Sequence, residues 1–579
     1  MSRSVVEEVF GKKEAKELWA IGYRPALPVT PQDYALGSVL PAVLYMMRWG
    51  HRRGKGKFFD VFGNKATISD VARRLSEDSE RFTGFDGPLQ QTVLADLLLA
   101  YCLENKGHRV GRDEQVQRAF PTHYFSSLID LPKTVANLRN VPEMIVALLA
   151  GQAEGASLKP GGGDGHYQVG VDLEHNLLLS LFGSGTSIQG QQDNIRVDKF
   201  DETKEVGIDQ LLTIRLAQTL GEAPTKQRGE NPDIPNQLPV ATRATRIFKE
   251  DFNVFLRSYG ANIPRQSLLP MLESCLAIGT INIYLSTLAV LLRWAVNGTV
   301  PDKADQSPWG LFVDCSASSD ATLRRLSEEC VDDLILRLSR MPVCMICLRI
   351  LDQRAQEEDL NGLPPAGPDP TARINFLGDL LFDRSADSQD IKRDIRKSCK
   401  KLSDAFDEKG EPHAQALLVN GDVHPAWRMA DAIVYLMGEK GQGARFRQYL
   451  DSCLMLDQPN GIGRKRRTIL KGKSVEKRSI VLTNTALDFL VHRHLRKAKR
   501  GTGPANLSLN EFIRILRERY GFFIDESPEG LSVPSDQLRK NRGYLERRLR
   551  DLGLFVGVND AEAMKRLRQR FTVGEENAD

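Results

Sequence analysis

Cysteine is sparse and irregular in this chain of 579 residues. The eight cysteines stand at 102, 275, 315, 330, 344, 347, 399 and 453, with no repeated spacing. That excludes a disulfide-stapled secreted fold and points to reduced thiols in a cytosolic protein. The one close pair, Cys344-Met-Ile-Cys347, has no further ligands at zinc-finger spacing. Its apolar neighbours read as a setting for two buried thiols. Histidine is scarce too, and His492-x-His494 would point its rings about 200° apart on a helix, which is wrong for a shared metal. Gly183-Ser-Gly-Thr-Ser-Ile-Gln-Gly190 is glycine-rich but lacks the Gly-Lys-Ser/Thr ending of a phosphate loop. No complete catalytic signature is present, and no repeat of fixed period. The first ten residues carry Glu7 and Glu8 and no apolar core, unlike a secretory signal. Residues 274–292 hold no charge and are almost long enough to cross a bilayer. Thr280, Asn282, Ser286 and Thr287 inside that run favour a buried helix of a large helical protein over a membrane span.

What is present is ordinary globular composition, with 41% hydrophobic and 27% charged residues, and a marked division of charge. Residues 464–571 contain 26 Lys and Arg against 12 Asp and Glu, a net of +14. The rest of the chain holds 53 against 63, a net of −10. A basic end on an acidic body suggests an anionic polymer at one end and protein partners elsewhere.

The length implies several cores. The expected class is mainly α and multidomain, with a small α/β element in the middle and a C-terminal winged-helix-like domain. The segments are 1–150, helical; 166–298, mixed and mainly helical; 309–457, the α/β region; and 464–579, the basic domain. A Gly-rich linker spans 151–165, residues 167–171 alternate like a strand, and 221–239 is a polar, proline-bearing loop. In the first segment, residues 67–75 read either as the opening of a helix-turn-helix or as a surface helix capped near Ser69 or Asp70. In the third, 311–314 reads as a buried strand, 320–340 as a helix with Leu323, Leu326, Cys330, Leu334 and Leu338 on one face, and 343–351 as a second strand.

The basic end carries the clearest local signals. Thr483 or Asn484 can cap a helix running to about 499. Ser508-Leu-Asn-Glu511 is a capping box opening a helix to about 520. Pro534-Ser-Asp536 starts a third helix, 554–558 follows as a short strand, and 561–571 as a last helix. On the third helix, Arg539, Lys540, Arg542, Arg547 and Arg550 point outward and are the candidate groove readers, because guanidinium forks suit phosphate oxygens and guanine edges. Upstream, Arg464, Lys465, Arg466 and Arg467 belong to a flexible basic arm, and Arg493, Arg496, Lys497, Lys499 and Arg500 form a further cluster. Phosphate neutralisation by such residues would make binding steeply salt-dependent. The alternatives are a protein-docking winged helix and a merely solvated surface.

Other constellations are weaker. Leu311-Phe-Val-Asp-Cys-Ser-Ala-Ser318 places Asp314, Ser316 and Ser318 after an apolar strand. This is similar to the Asp-x-Ser-x-Ser motif of von Willebrand A-type domains, and the similarity implies Mg²⁺ on hard oxygen ligands. Ser319 departs from that pattern, and the downstream threonine and aspartate have no clear counterparts. The competing reading is a cap for the helix near Asp320. His51-Arg-Arg-Gly-Lys-Gly-Lys57 is a basic loop or a secondary phosphate contact, and Asn420-Gly-Asp-Val-His424 reads as a loop.

The stretch from Ile480-Val-Leu-Thr-Asn-Thr-Ala-Leu-Asp-Phe-Leu490 to Leu545-Glu-Arg-Arg-Leu-Arg-Asp-Leu-Gly-Leu-Phe-Val556 resembles accessory components of multi-gene bacterial antiphage systems, nearest the methylation-associated defence system. The resemblance implies work beside an ATPase, a methyltransferase and other subunits, and it assigns no catalytic residue. The favoured expectation is a cytoplasmic, non-catalytic subunit that engages DNA phosphates through the basic domain and needs no cofactor. The rivals are an adaptor that grips protein instead, through the same end or a metal at Asp314, and an unrecognised nuclease.

Overall fold

A 33-residue helix, Arg265–Asn297, runs through the middle of the molecule. Its apolar residues face all sides, so it must be surrounded rather than laid on a surface. Other segments bury 89% of its most apolar window, so this long apolar run is a core helix. Its polar groups are satisfied locally or by neighbours. Thr280 and Thr287 donate to the Leu276 and Ile283 carbonyls (2.7 and 2.8 Å), Ser274 to the Asn460 carbonyl (2.7 Å), and Trp294 Nε1 to the Ile374 carbonyl (3.1 Å). At Gly279 the Phe248 ring occupies the space a Cβ would need, which lets helix Thr242–Tyr259 approach closely. The helix ends at Gly298 in the left-handed region.

The computed structural model describes residues 2–49, 57–63, 65–105, 115–129, 138–150, 177–185, 203, 205–221, 237–365, 369–419, 421–470, 472–496, 507–557 and 565–571. The expected linker at 151–165, the strand at 167–171, most of the 221–239 loop, residues 51–56 and Asn420 lie outside them. The chain is mainly helical, with 62% helix and 7% strand. Helices Met341–Glu357, Ala444–Cys453 and Asn484–His494 pack on the central helix. Most buried apolar side chains form one continuous cluster from Val5 to Leu567, and Phe312, Leu323, Leu326, Cys330 and Val533 form a second. Polar ties cross the same distances: Tyr23 donates to Asp352 (2.8 Å), and Tyr34 meets the Cys453 thiol (3.4 Å).

Short strands place the basic end against this body. Leu311–Phe312 pairs in parallel with Phe522–Phe523, and Val313 bridges Ile480 in parallel on the other side. Leu311 N donates to the Gly521 carbonyl (2.7 Å), Val313 N to Phe523 (2.9 Å) and Asp314 N to Ile480 (2.9 Å). The first segment in the chain is therefore the middle one in space. Each strand leads to a helix: Ala321–Leu338, Asn484–His494 and Ser535–Asp551. At Gly521 (φ 73°) the Trp309 carbonyl fills the position of a Cβ, so the pairing requires glycine.

Two local expectations are overturned. Residues 343–351 lie inside helix Met341–Glu357, buried on nearly every side. A continuous apolar run has no period to separate a buried strand from a buried helix. In 561–571 the described residues include a strand, Arg566–Leu567, which pairs with Phe555–Val556. The helix at Ile68–Ser76 is capped by Thr67, which accepts from Asp70 N (3.1 Å) in a capping box.

Candidate nucleic-acid interface

The expected basic arm is an ordered hairpin. Strands Gly463–Leu470 and Lys473–Ile480 pair antiparallel along their whole length, with Arg464 opposite Ser479 and Arg466 opposite Lys477. Gly472, at φ 74°, turns the chain. Most of its cations meet the protein's own carboxylates. Glu328, itself nearly buried, takes Arg466 through two bonds (3.0 and 2.9 Å), and Asp332 takes Lys477. Asp451 holds Arg478, and Glu476 receives Lys465 (2.7 Å) and Arg467 (3.5 Å). The Arg467 side chain is still 80% exposed. Arg464 is half-buried and has no ion pair among the described residues; burial lowers the Arg548 pKa, and the Arg464 charge adds to that.

The cluster on helix Asn484–His494 is turned inward. Thr483 caps that helix. Arg493 is buried against Glu250 (3.0 Å) and Asp251. Asp251 also receives Arg519 and Tyr520 (2.6 and 2.7 Å), and Tyr520 bonds His494 (2.8 Å). Burial pushes the His494 imidazole well below its ordinary range, with Arg493 and Arg519 adding to the effect. Arg496 is buried over the Tyr259 ring (5.4 Å) and bonds Gln569 (2.9 Å), so it is not placed to meet a phosphate. Lys497 and Arg500 lie outside the described residues.

Ser508 forms the expected capping box with Glu511, starting helix Leu509–Tyr520. Ser508 also bridges Arg566, so Arg566–Leu567 lies between that residue and Phe555–Val556. Helix Ser535–Asp551 completes the unit. Asn541, Leu545 and Leu549 form its buried stripe at i, i+4, i+8. At 100° per residue, Arg539, Lys540, Gly543, Arg547 and Arg550 fall on the opposite side, and all five are exposed. Arg539 has no ion pair or hydrogen bond among the described residues, and Arg547 stacks over Tyr544 (5.8 Å). Lys540 reaches Asp320, and Arg550 reaches Glu546 (2.9 Å), with half or more of each cationic side chain exposed. Arg542 sits at the edge of the face, bonded to Asp525 (3.3 Å) and Asn510 (2.6 Å).

Asn541 went unnoticed in an arginine-rich helix, yet it joins three segments. Its Oδ1 accepts from Cys315 N (2.9 Å), and its Nδ2 donates to the Val313 and Ile524 carbonyls (2.8 and 3.0 Å). The available signal was its place in register with Leu545 and Leu549.

Asp314 is wholly buried at the end of the middle strand. Its Oδ1 accepts from Ser316 N and Oγ (2.9 and 2.5 Å), and its Oδ2 from Ser318 N (3.0 Å). Burial raises its pKa against those stabilising bonds. Ala317 and Ser318 both take positive φ to close this loop. Asp320 caps helix Ala321–Leu338, accepting from Thr322 and Leu323 amides (2.9 and 3.1 Å). Its bond to Lys540, ahead of those amides, lowers its pKa. The Asp314 carboxylate and the Ser316 hydroxyl thus order the loop and its helix, while the Ser318 hydroxyl is buried without a hydrogen-bond partner among the described residues. Among the described residues no group of three or more His, Cys, Asp or Glu is arranged to hold a metal.

No curated protein and no solved structure matches the chain. The family model described as methylation-associated defense system protein MAD7 matches residues 28–571. The protein is therefore a component of a methylation-associated defence system, belonging to the MAD7 family.

Proposed function

We propose that this protein is a non-catalytic, DNA-engaging subunit of a cytoplasmic methylation-associated defence assembly. The observation that carries the reading is the outer face of helix Ser535–Asp551, where Arg539, Lys540, Arg547 and Arg550 surround an exposed glycine. The order of elements supports a winged-helix-like unit: three helices, then a ribbon whose last strand lies in the middle. In that arrangement helix Ser535–Asp551 is the third helix, the one that enters a groove. Lys540 and Arg550 keep half or more of their side chains exposed while paired with Asp320 and Glu546, so each retains N–H donors that a phosphate can take. Arg464 and Arg467 on the hairpin extend the contact. Arg478, Arg493 and Arg496 hold the fold instead. The acidic body would dock other subunits, an ATPase among them.

The test is a salt series on duplex DNA with the purified full chain. Binding should fall steeply with salt, each phosphate contact contributing about −0.9 to the slope of log K against log salt. The double variant Arg539→Ala, Arg547→Ala should weaken binding to all sequences alike and reduce the slope by about 2. Absence of binding at low salt would overturn the reading.

A second reading has its own support. So many hairpin cations are matched by Glu328, Asp332 and Asp451 that the basic end could be a protein-docking module that never meets DNA. A Mg²⁺ at Asp314, Ser316 and Ser318 belongs to this reading, and would exchange the serine hydrogen bonds on Asp314 for metal bonds. It predicts capture of a partner subunit that is insensitive to nuclease and to the Arg539, Arg547 double variant.

A further inference from the structure

Gly543 is the ninth residue of a 17-residue helix and lies at the centre of its exposed face. Glycine there disfavours the helix relative to alanine. A mid-helix glycine can make room for a close neighbour, as Gly279 does for the Phe248 ring. Among the described residues nothing comes so close at Gly543: a Cβ added there would meet no atom within 4 Å beyond its own turn of helix. The cost has no internal reason among the described residues.

The surroundings say what could approach. On a helix surface the neighbours of position 543 are 539, 540, 546 and 547. Three of the four are cations: Arg539, Lys540 and Arg547. The fourth, Glu546, is engaged by Arg550 and Lys565 (both 2.9 Å) and is mostly buried. Arg539 donates to nothing else in the described chain. Arg547 has the Tyr544 ring, and Lys540 pairs with the nearly buried Asp320, with the exposed Asp536 nearby. The result is a shallow notch with a bare backbone floor and a cationic rim.

We propose that Gly543 is a phosphate seat: one phosphodiester of a DNA backbone rests over the glycine, between Arg539, Lys540 and Arg547. This rests on the DNA-engaging reading and makes it specific. A side chain at 543 would hold the phosphate away from the three donors, weakening charge-assisted bonds that depend on close approach. Free phosphate or a mononucleotide offers the same chemistry but not the adjoining phosphates, so the duplex should be strongly preferred.

The experiment compares Gly543→Ala and Gly543→Gln with the unaltered protein, in duplex binding at fixed low salt and in urea unfolding. Both residues favour the helix, so both variants should unfold at higher urea than the parent, which separates lost binding from lost folding. Duplex affinity should drop with side-chain size, reaching about tenfold for glutamine, or about 1.4 kcal/mol. Inorganic phosphate at equal ionic strength should compete no better than chloride. If the Arg539→Ala, Arg547→Ala variant loses affinity while Gly543→Gln keeps it, the seat is wrong and the DNA reading stands. If the parent protein does not bind duplex, both fall. If phosphate alone competes strongly, the site belongs to a small anion and the backbone assignment is overturned.

Discussion

Replacing Asn541 with alanine should be one of the most damaging single changes in the basic unit. The side chain is wholly buried. It closes three hydrogen bonds, from the Cys315 amide and to the Val313 and Ile524 carbonyls. Alanine leaves one buried N–H and two buried carbonyls without that partner. Each stranded group costs about 1–3 kcal/mol, so about 3–5 kcal/mol is expected after partial relaxation. Asn541→Asp should be at least as harmful. It keeps the acceptor for Cys315 but turns the donor into a carboxylate facing two carbonyls, next to the buried Asp314. The assay is urea unfolding of the full chain, with Arg539→Ala as the control two positions away. The control should stay within about 0.5 kcal/mol of the parent. An Asn541→Ala midpoint indistinguishable from that control would refute the three-way clamp, and with it the placement of helix Ser535–Asp551 against the strand ends.

Other consequences follow from burial. His123 is fully buried, and its pKa is pushed down to about 3; His424 is lowered to about 4, and His494 well below the ordinary range. With folded pKa values below the unfolded value near 6.5, the unfolded chain binds more protons below that pH. Stability should be flat from about pH 7 to 8 and fall as the medium is acidified, with His123 alone contributing about 2 kcal/mol by pH 5. Urea midpoints unchanged between pH 7.5 and 5 would contradict this. All eight cysteines are buried, and burial raises the thiols of Cys102, Cys344 and Cys453 to about 12. A thiol reagent at neutral pH should therefore label the folded chain far more slowly than the denatured one, where eight equivalents react. Rapid labelling of the native protein would show that the core opens readily.

The pairing of the hairpin cations separates two uses of positive charge at the basic end. Arg466 with Glu328 and Arg478 with Asp451 are nearly buried on the acidic side or both sides, and losing either partner would strand a charge. Such arginines serve assembly of the fold. Arg539 and Arg547 have no such duty among the described residues. A net charge counted along the sequence adds both kinds together.

Local signals were legible in the sequence because they are completed within a turn or two of chain. The Ser508–Glu511 capping box and the Thr483 cap both depend on neighbours three residues away. The core nature of residues 274–292 also follows from composition, since charge-free helix with scattered hydroxyls must be enclosed. Tertiary structure alone decided which cations are available. Arg496 and Arg539 look alike in the sequence, but Tyr259 and Gln569, at distant positions, bury the first, and nothing described reaches the second. The same holds for Arg466, whose partner Glu328 is 138 residues away. It also decided that residues 343–351 are helical, because an apolar run carries no period and only enclosure by neighbouring helices selects its form. Charge and capping are properties of residues and their immediate neighbours; exposure and pairing are properties of what the rest of the chain brings beside them.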